Sequence, residues 1–214
     1  MFRRRKQEES STDSAQTADE GVSVQEPASA ATGPFDAAEV DLDDDPSRVD
    51  LGSLVLKAGP GLELQLQVDE ASQLVTAVML VSETGAVELR PFAAPRHEGI
   101  WDDVRREIAA EATRRGGTAS EMAGEYGKEL RIVAPVTGPG GQQLRQPSRV
   151  VGIEGPRWML RVTFLGSAAT DPDPEGVLEQ AMRDVVVVRG SAPIPPRAPL
   201  PLRMPGNVQP MDLS

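Results

Sequence analysis

The sequence predicts an α+β fold, an antiparallel β-sheet of about eight strands packed against two helices. Two observations carry that expectation. Short segments alternate apolar and polar residues between turns rich in Gly, Pro and Asp, which is the period of half-buried strands. Among them stand two stretches whose apolar residues recur at spacings of three and four, the period of a helix. Both ends of the chain differ from this middle. Residues 1–48 read as a disordered acidic leader, 49–190 as a single α+β domain, and 191–214 as a proline-rich extended tail.

The leader is rich in Ser, Thr, Ala, Asp and Glu and shows no periodicity, so it buries too little surface to offset the entropy of ordering. Residues 1–50 carry 13 acidic and 5 basic side chains, a net of −8, and residues 51–214 carry 20 and 17, a net of −3. Most of the overall charge of −11 therefore belongs to the leader. An almost neutral domain behind an acidic leader repels a phosphate backbone, which argues against general nucleic-acid binding. Arg3, Arg4, Arg5 and Lys6 form a basic cluster at the start. Four charges beside one Phe are too few for stable anchoring, leaving at most a weak contact with an anionic membrane surface. No apolar segment follows that cluster, and no run of about 18 apolar residues occurs, so neither export by a signal peptide nor a transmembrane segment is expected. The expected location is cytoplasmic.

A first strand is expected over residues 51–56. After the turn Gly59-Pro60-Gly61, the residues Leu62, Leu64, Leu66 and Val68 alternate with Glu63, Gln65 and Gln67, one face buried and one wet. Residues 74–81 are apolar on both faces apart from Thr76, as in a central strand covered on each side. Glu83-Thr84-Gly85 then leads into residues 86–92, and four strands joined by short turns make an antiparallel meander.

Residues 99–115 form the clearest helix. Ile100, Trp101, Val104, Ile108 and Ala112 make one apolar stripe. Asp102 and Asp103 in the first turn, and Arg114 and Arg115 in the last, have the signs that the helix dipole favours, and Gly116-Gly117 ends the element. Pairs from Asp102 to Arg106 and from Glu111 to Arg115 add about 0.2–0.5 kcal/mol each.

Strands follow over residues 118–124, 128–136, 142–153 and 157–165, the last two forming a hairpin around Glu154-Gly155-Pro156. Trp158, Leu160, Val162 and Phe164 share one face, opposite Arg157, Arg161 and Thr163; Met159 and Leu165 make that second face partly covered. Asp173, Pro174 and Glu175 have the cap, first-turn and dipole chemistry of a helix start, and the helix continues through Val177, Leu178, Ala181, Met182 and Val185. The β-branched run to Val188 then favours extended chain. Prolines at 193, 195, 196, 199, 201 and 205 make the tail polyproline-like, suited to packing along its own domain, to linking, or to an aromatic groove on a partner.

Little here carries chemistry. The chain has no cysteine, which removes disulfides, thiolate metal sites and cysteine nucleophiles. Asp41, Asp43, Asp44 and Asp45 start like a calcium loop, but Pro46 stands where Gly is needed and Gly52 where the closing Glu belongs; residues 171–176 also start like one, but Met182 stands at the closing position and two prolines stiffen the segment. Gly138-Pro139-Gly140-Gly141 lacks the Lys-Ser/Thr of a phosphate loop. His97, the one histidine, has Glu98, Asp102 and Asp103 nearby, but zinc would want further His or Cys. No catalytic residue, metal or cofactor is therefore assigned. The candidate interaction or ligand residues are Arg96, His97, Trp101, Arg157, Trp158 and Arg161. Arg149 joins Arg96, Arg157 and Arg161 as a candidate anion or partner patch.

Several segments carry a resemblance: the MFxRRK-like start, the acidic leader, LGSL, the helix GIWDDVRREI, GPRWMLR, and DVVVVRG followed by SAPIPPRAPLPLRMP. Together they resemble an actinobacterial family, domain of unknown function 3710, over residues 33–205, most specifically at 92–104, 155–161 and 185–205. The resemblance implies a cytosolic protein of an actinobacterium and assigns no activity, cofactor or functional residue. The order of strands and helices is also similar in layout to PsbP/Mog1-like α+β domains, and fold does not fix function. Two functions stay open. The first is a non-enzymatic protein-interaction module with an unknown protein partner. The second is a small-molecule-binding protein or enzyme with a pocket near His97, Trp101 and Trp158.

Overall fold

The computed structural model describes residues 33–205 except Asp44 and Ala58. The basic cluster Arg3–Lys6, the leader up to residue 32 and the last nine residues of the tail lie outside the described residues. Three short strands come first, β1 (Phe35–Asp36), β2 (Arg48–Asp50) and β3 (Leu54–Lys57). The period-two segments supply β4 (Glu63–Val68), β5 (Val75–Val81), β6 (Gly85–Ala93), β7 (Thr118–Gly124), β8 (Gly127–Thr137), β9 (Gln143–Gly155) and β10 (Trp158–Gly166). Helix α1 (Trp101–Arg114) lies between β6 and β7; α2 (Ser167–Thr170), α3 (Val177–Arg183) and β11 (Val186–Val187) follow β10.

The fold is α+β, with its strands divided between two sheets. Seven strands form an antiparallel sheet in the order β4-β5-β6-β10-β9-β8-β7, and four short ones a second sheet in the order β1-β11-β3-β2. In the second sheet β1 runs parallel to β11, and the other pairs are antiparallel. The expected four-strand meander is thus three strands, β4-β5-β6. The first strand, placed at Leu54–Lys57 and not 51–56, leaves it to pair with β11. Leu54, Val55 and Leu56 are all buried, as a strand covered on both faces requires, and periodicity cannot say which sheet such a strand joins.

Between the two sheets, and under α3, lies the main core, with Leu54, Leu56, Val78, Leu80, Val87, Leu89, Trp158, Leu160, Val162, Phe164 and Met182. The opposite face of the large sheet is covered by α1, which packs over β7, β8 and β9. Its stripe of Ile100, Trp101, Val104, Ile108 and Ala112 meets Leu130, Ile132, Val150 and Met159. We call these the core face and the helix face. Arg105 is buried with the stripe although no apolar period marks it. It takes Asp102 at 2.6 Å and Glu121 of β7 at 3.0 Å, so Arg106 pairs with Asp103 in place of the expected Asp102. The Glu111–Arg115 pair is present at 2.5 Å.

Two further differences concern the ends of elements. Helix α3 starts at Val177 with Gly176 as cap, and no side chain caps it. Asp173 instead closes a turn, its Oδ1 accepting from the Glu175 amide at 3.1 Å and its carbonyl from the Gly176 amide at 2.9 Å. Ordered chain also begins before residue 49: Phe35–Asp36 pairs with Val186–Val187, and Trp158 Nε1 donates to Asp36 Oδ2 at 2.7 Å. Two residues held by contacts more than a hundred positions away leave no compositional trace.

Candidate functional site

The candidate residues do not converge on one site. Arg96 and His97 are exposed in the loop before α1. Trp101 and Trp158 are both buried, at 5% and 2% exposure, but on opposite faces of the large sheet. A Cβ on Gly152 would fall 2.1 Å from the Trp101 ring, and one on Gly155 would fall 2.1 Å from the Trp158 ring. Three positions apart on β9, these glycines point to opposite faces, and each leaves room for one indole to lie against the strand. Trp101 Nε1 donates to the Lys128 carbonyl at 2.7 Å. Both tryptophans are satisfied core groups, with the sheet between them.

The loop at residues 94–99 instead joins α1 to the β9–β10 turn. Ile100, the cap residue of α1, makes no side-chain cap bond. Glu154 supplies it from outside, Oε1 accepting from the amides of Ile100 and Trp101, the latter at 3.0 Å. A carboxylate at a helix N-terminus satisfies free N–H groups and opposes the dipole. A Cβ on Gly99 would lie 2.3 Å from Glu154 Oε2, so a side chain there would push the capping carboxylate aside. Arg157, in the same turn, has a φ of 65°, a strained region for a residue with a side chain. Its carbonyl accepts from the Ala94 amide at 2.9 Å and from Arg189 Nε at 3.1 Å, which holds the turn.

A concave site lies elsewhere, where β5 and β6 part. The two strands pair only between Val78–Val81 and Ala86–Leu89. Beyond Leu89, β6 continues along β10, while the earlier part of β5 diverges from it. Residues of the proline-rich segment enter the gap. The Ala93 amide donates to the Ala198 carbonyl at 2.9 Å, the Leu200 amide to the Pro91 carbonyl at 2.9 Å, and Leu202 bridges Val75 and Gly52. Leu200 and Leu202 are buried by this packing. A cleft of about 420 Å³ remains between Leu74, Val75 and Thr76 on one side and Phe92, Leu200 and Leu202 on the other. Asp69 and Ser72 of the β4–β5 turn and Arg90 of β6 supply its polar groups. Leu74 is 62% exposed at its rim, and Val68 across the same turn is 43% exposed. The volume is that of a ligand or peptide side-chain pocket, apolar with few polar groups. None of its residues was singled out from sequence. Leu74 reads there as buried in a central strand, and only the docked segment brings residues 199–202 to β5.

Arg149, one of the candidate arginines, is part of a buried ionic cluster on the core face. It touches Glu179 of α3, approaches Glu129 of β8 at 3.5 Å, and stacks its guanidinium 3.9 Å from the centre of the Phe164 ring. Glu129 also takes Arg131 at 2.9 Å. Desolvation pulls the Arg149 pKa below the ordinary guanidinium value, and Glu129 opposes that shift. A cavity of about 210 Å³ adjoins the cluster at Tyr126 and Arg183. Its charges are balanced in pairs, so it serves to fasten α3 to the sheet. Arg161, on the helix face, is far less well matched.

Among the described residues, no group of three or more His, Asp or Glu could hold a metal ion, and no helix is long and apolar enough to cross a membrane. The segments that carry the family resemblance meet in space: the start of α1, the Glu154 turn, and the chain from Val186 to Pro205 that hydrogen-bonds to Ala93 and Arg157. No curated protein matches the chain. A family model described as "Protein of unknown function (DUF3710)" matches residues 33–211, and the chain belongs to that family.

Proposed function

We propose that the protein is a cytoplasmic, non-enzymatic interaction module that takes an apolar side chain of a partner protein into the cleft between β5, β6 and the proline-rich segment. The observation that carries this reading is Leu74, 62% exposed on the rim of an apolar cleft of about 420 Å³. A large aliphatic side chain in water on the rim of an apolar recess favours burial by a partner, at about 25 cal/mol per Å² of apolar surface covered.

The test is affinity capture from native lysate with the tagged full chain, its Leu74→Asp variant, and Leu144→Asp as a control at an exposed leucine outside the cleft. A partner retained by the wild type and the control and lost by Leu74→Asp is expected. Equal recovery by all three, or recovery of nothing by any, would sink the reading.

A further inference from the structure

On the helix face, β10 and β6 stand beside α1 and carry charged side chains. Arg161 of β10 lies here with Glu88, Arg90 and Phe92 of β6. Glu88 is already engaged. Arg90 donates to its two oxygens at 2.8 and 3.2 Å, and Gln67 Nε2 donates at 3.0 Å. Arg161 is left 4.0 Å from Glu88, with its guanidinium 5.4 Å from the centre of the Phe92 ring. Its Nε is buried and has no hydrogen-bond partner among the described residues. Burial first, and then the neighbouring Arg90 charge, pull its pKa below the ordinary guanidinium value. A guanidinium does not shed its proton in a protein, so Arg161 stays a largely buried cation with one buried donor unpaired among the described residues.

Arg161 borders a cavity of about 200 Å³, walled by Ile100, Val104 and Ile108 of α1 and by Phe92 and Met159 of the sheet. Glu107 and Arg197 also line it but neutralise each other, Arg197 Nη1 donating to Glu107 Oε1 at 3.0 Å. One uncompensated positive charge therefore faces an apolar space the size of about seven water molecules at about 30 Å³ each. The matching ligand has one negative charge and an apolar body. We propose that this cavity binds a small organic carboxylate, its two oxygens taken by the Arg161 guanidinium as a bidentate pair and its hydrocarbon packed between α1 and Met159. A carboxylate matches the planar fork, and an apolar tail matches the walls. The proposal does not rest on the cleft reading, because Leu74 is not part of this lining and a Leu74→Asp variant retains it.

The probe is hexanoate, compared with hexanamide and inorganic phosphate, added to the full chain and followed by the Arg161 Nε–H resonance and by thermal unfolding. Hexanoate should shift that resonance and raise the Tm, while hexanamide and phosphate do neither. Arg161→Met should weaken hexanoate binding about ten- to a hundredfold, the worth of a charged hydrogen bond. Arg161→Lys, which keeps the charge and loses the fork, should fall between the two. No movement of the Nε–H resonance with hexanoate, an equal response to hexanamide or phosphate, or an unchanged Tm rise in Arg161→Met would overturn the assignment. If Arg161→Met does not fold, the resonance of the wild type decides alone.

Discussion

Glu179→Leu should be among the most damaging single substitutions on α3. Arg149 and Glu179 have side chains only 9% and 8% exposed, so water screens their contact little. Removing one member of a buried pair costs about 3–5 kcal/mol, because the other charge stays desolvated. Glu129 at 3.5 Å and the Phe164 ring at 3.9 Å retain part of the Arg149 charge, which places Glu179→Leu at the low end, about 3 kcal/mol. For a domain of this size that is a fall in Tm of about 6–12 °C. Arg149→Met alone leaves Glu179 without its partner and should cost at least as much. The double variant removes both charges and fills the space with apolar atoms, so it should recover most of the loss. Urea unfolding of the four proteins closes the cycle, with a coupling of about 2 kcal/mol or more expected. Additive losses, or a Glu179→Leu cost below about 1 kcal/mol, would refute the pairing under α3.

Other outcomes follow from single contacts. Glu154→Ala should destabilise the protein by about 1–2 kcal/mol through loss of the cap on α1, with the earliest loss of amide protection in the first turn of the helix by hydrogen exchange. Leu200→Ala, in the docked proline-rich segment at 2% exposure, should cost about 2–4 kcal/mol in urea, whereas a merely extended tail would show no change. The Ser47 hydroxyl, then Lys57 and the Ser47 amide, hold the Asp45 carboxyl well below the usual carboxylate range. With the folded pKa below the unfolded one, the unfolded chain takes up protons first as pH falls. This stability is thus present above the ordinary Asp range and lost on acidification through it. The urea midpoint of Asp45→Asn should accordingly depend less on pH between about pH 5 and 2 than that of the wild type.

Several elements were legible in the sequence because they obey local rules. The α1 stripe from Trp101 to Ala112, its acidic first turn and its double-glycine stop describe one helix whatever surrounds it, and the helix stands where they place it. The alternation in β10 correctly puts Trp158, Leu160, Val162 and Phe164 on one face with Met159 buried behind them. Arg105 was invisible because a buried charge needs partners, and Glu121 lies across a loop on β7. Rarity and chemical type mark two indoles that pack against Gly152 and Gly155 in the core, and neither marks Leu74, an ordinary residue made unusual only by exposure.

The sequence by itself thus determined the α+β class, most of the strands of the large sheet, the long helix, and the family resemblance borne by three separate segments. Each depends on periods and caps within about a dozen neighbouring residues, where the interaction energies are local. Only the tertiary structure decided that the strands divide between two sheets, that Glu154 caps α1, that residues 198–202 enter the gap beside β6, and that Arg161 is left without a full partner. These arrangements join residues dozens of positions apart. Burial, charge pairing and strand register between such residues are properties of the packed chain, and no short window of sequence contains them.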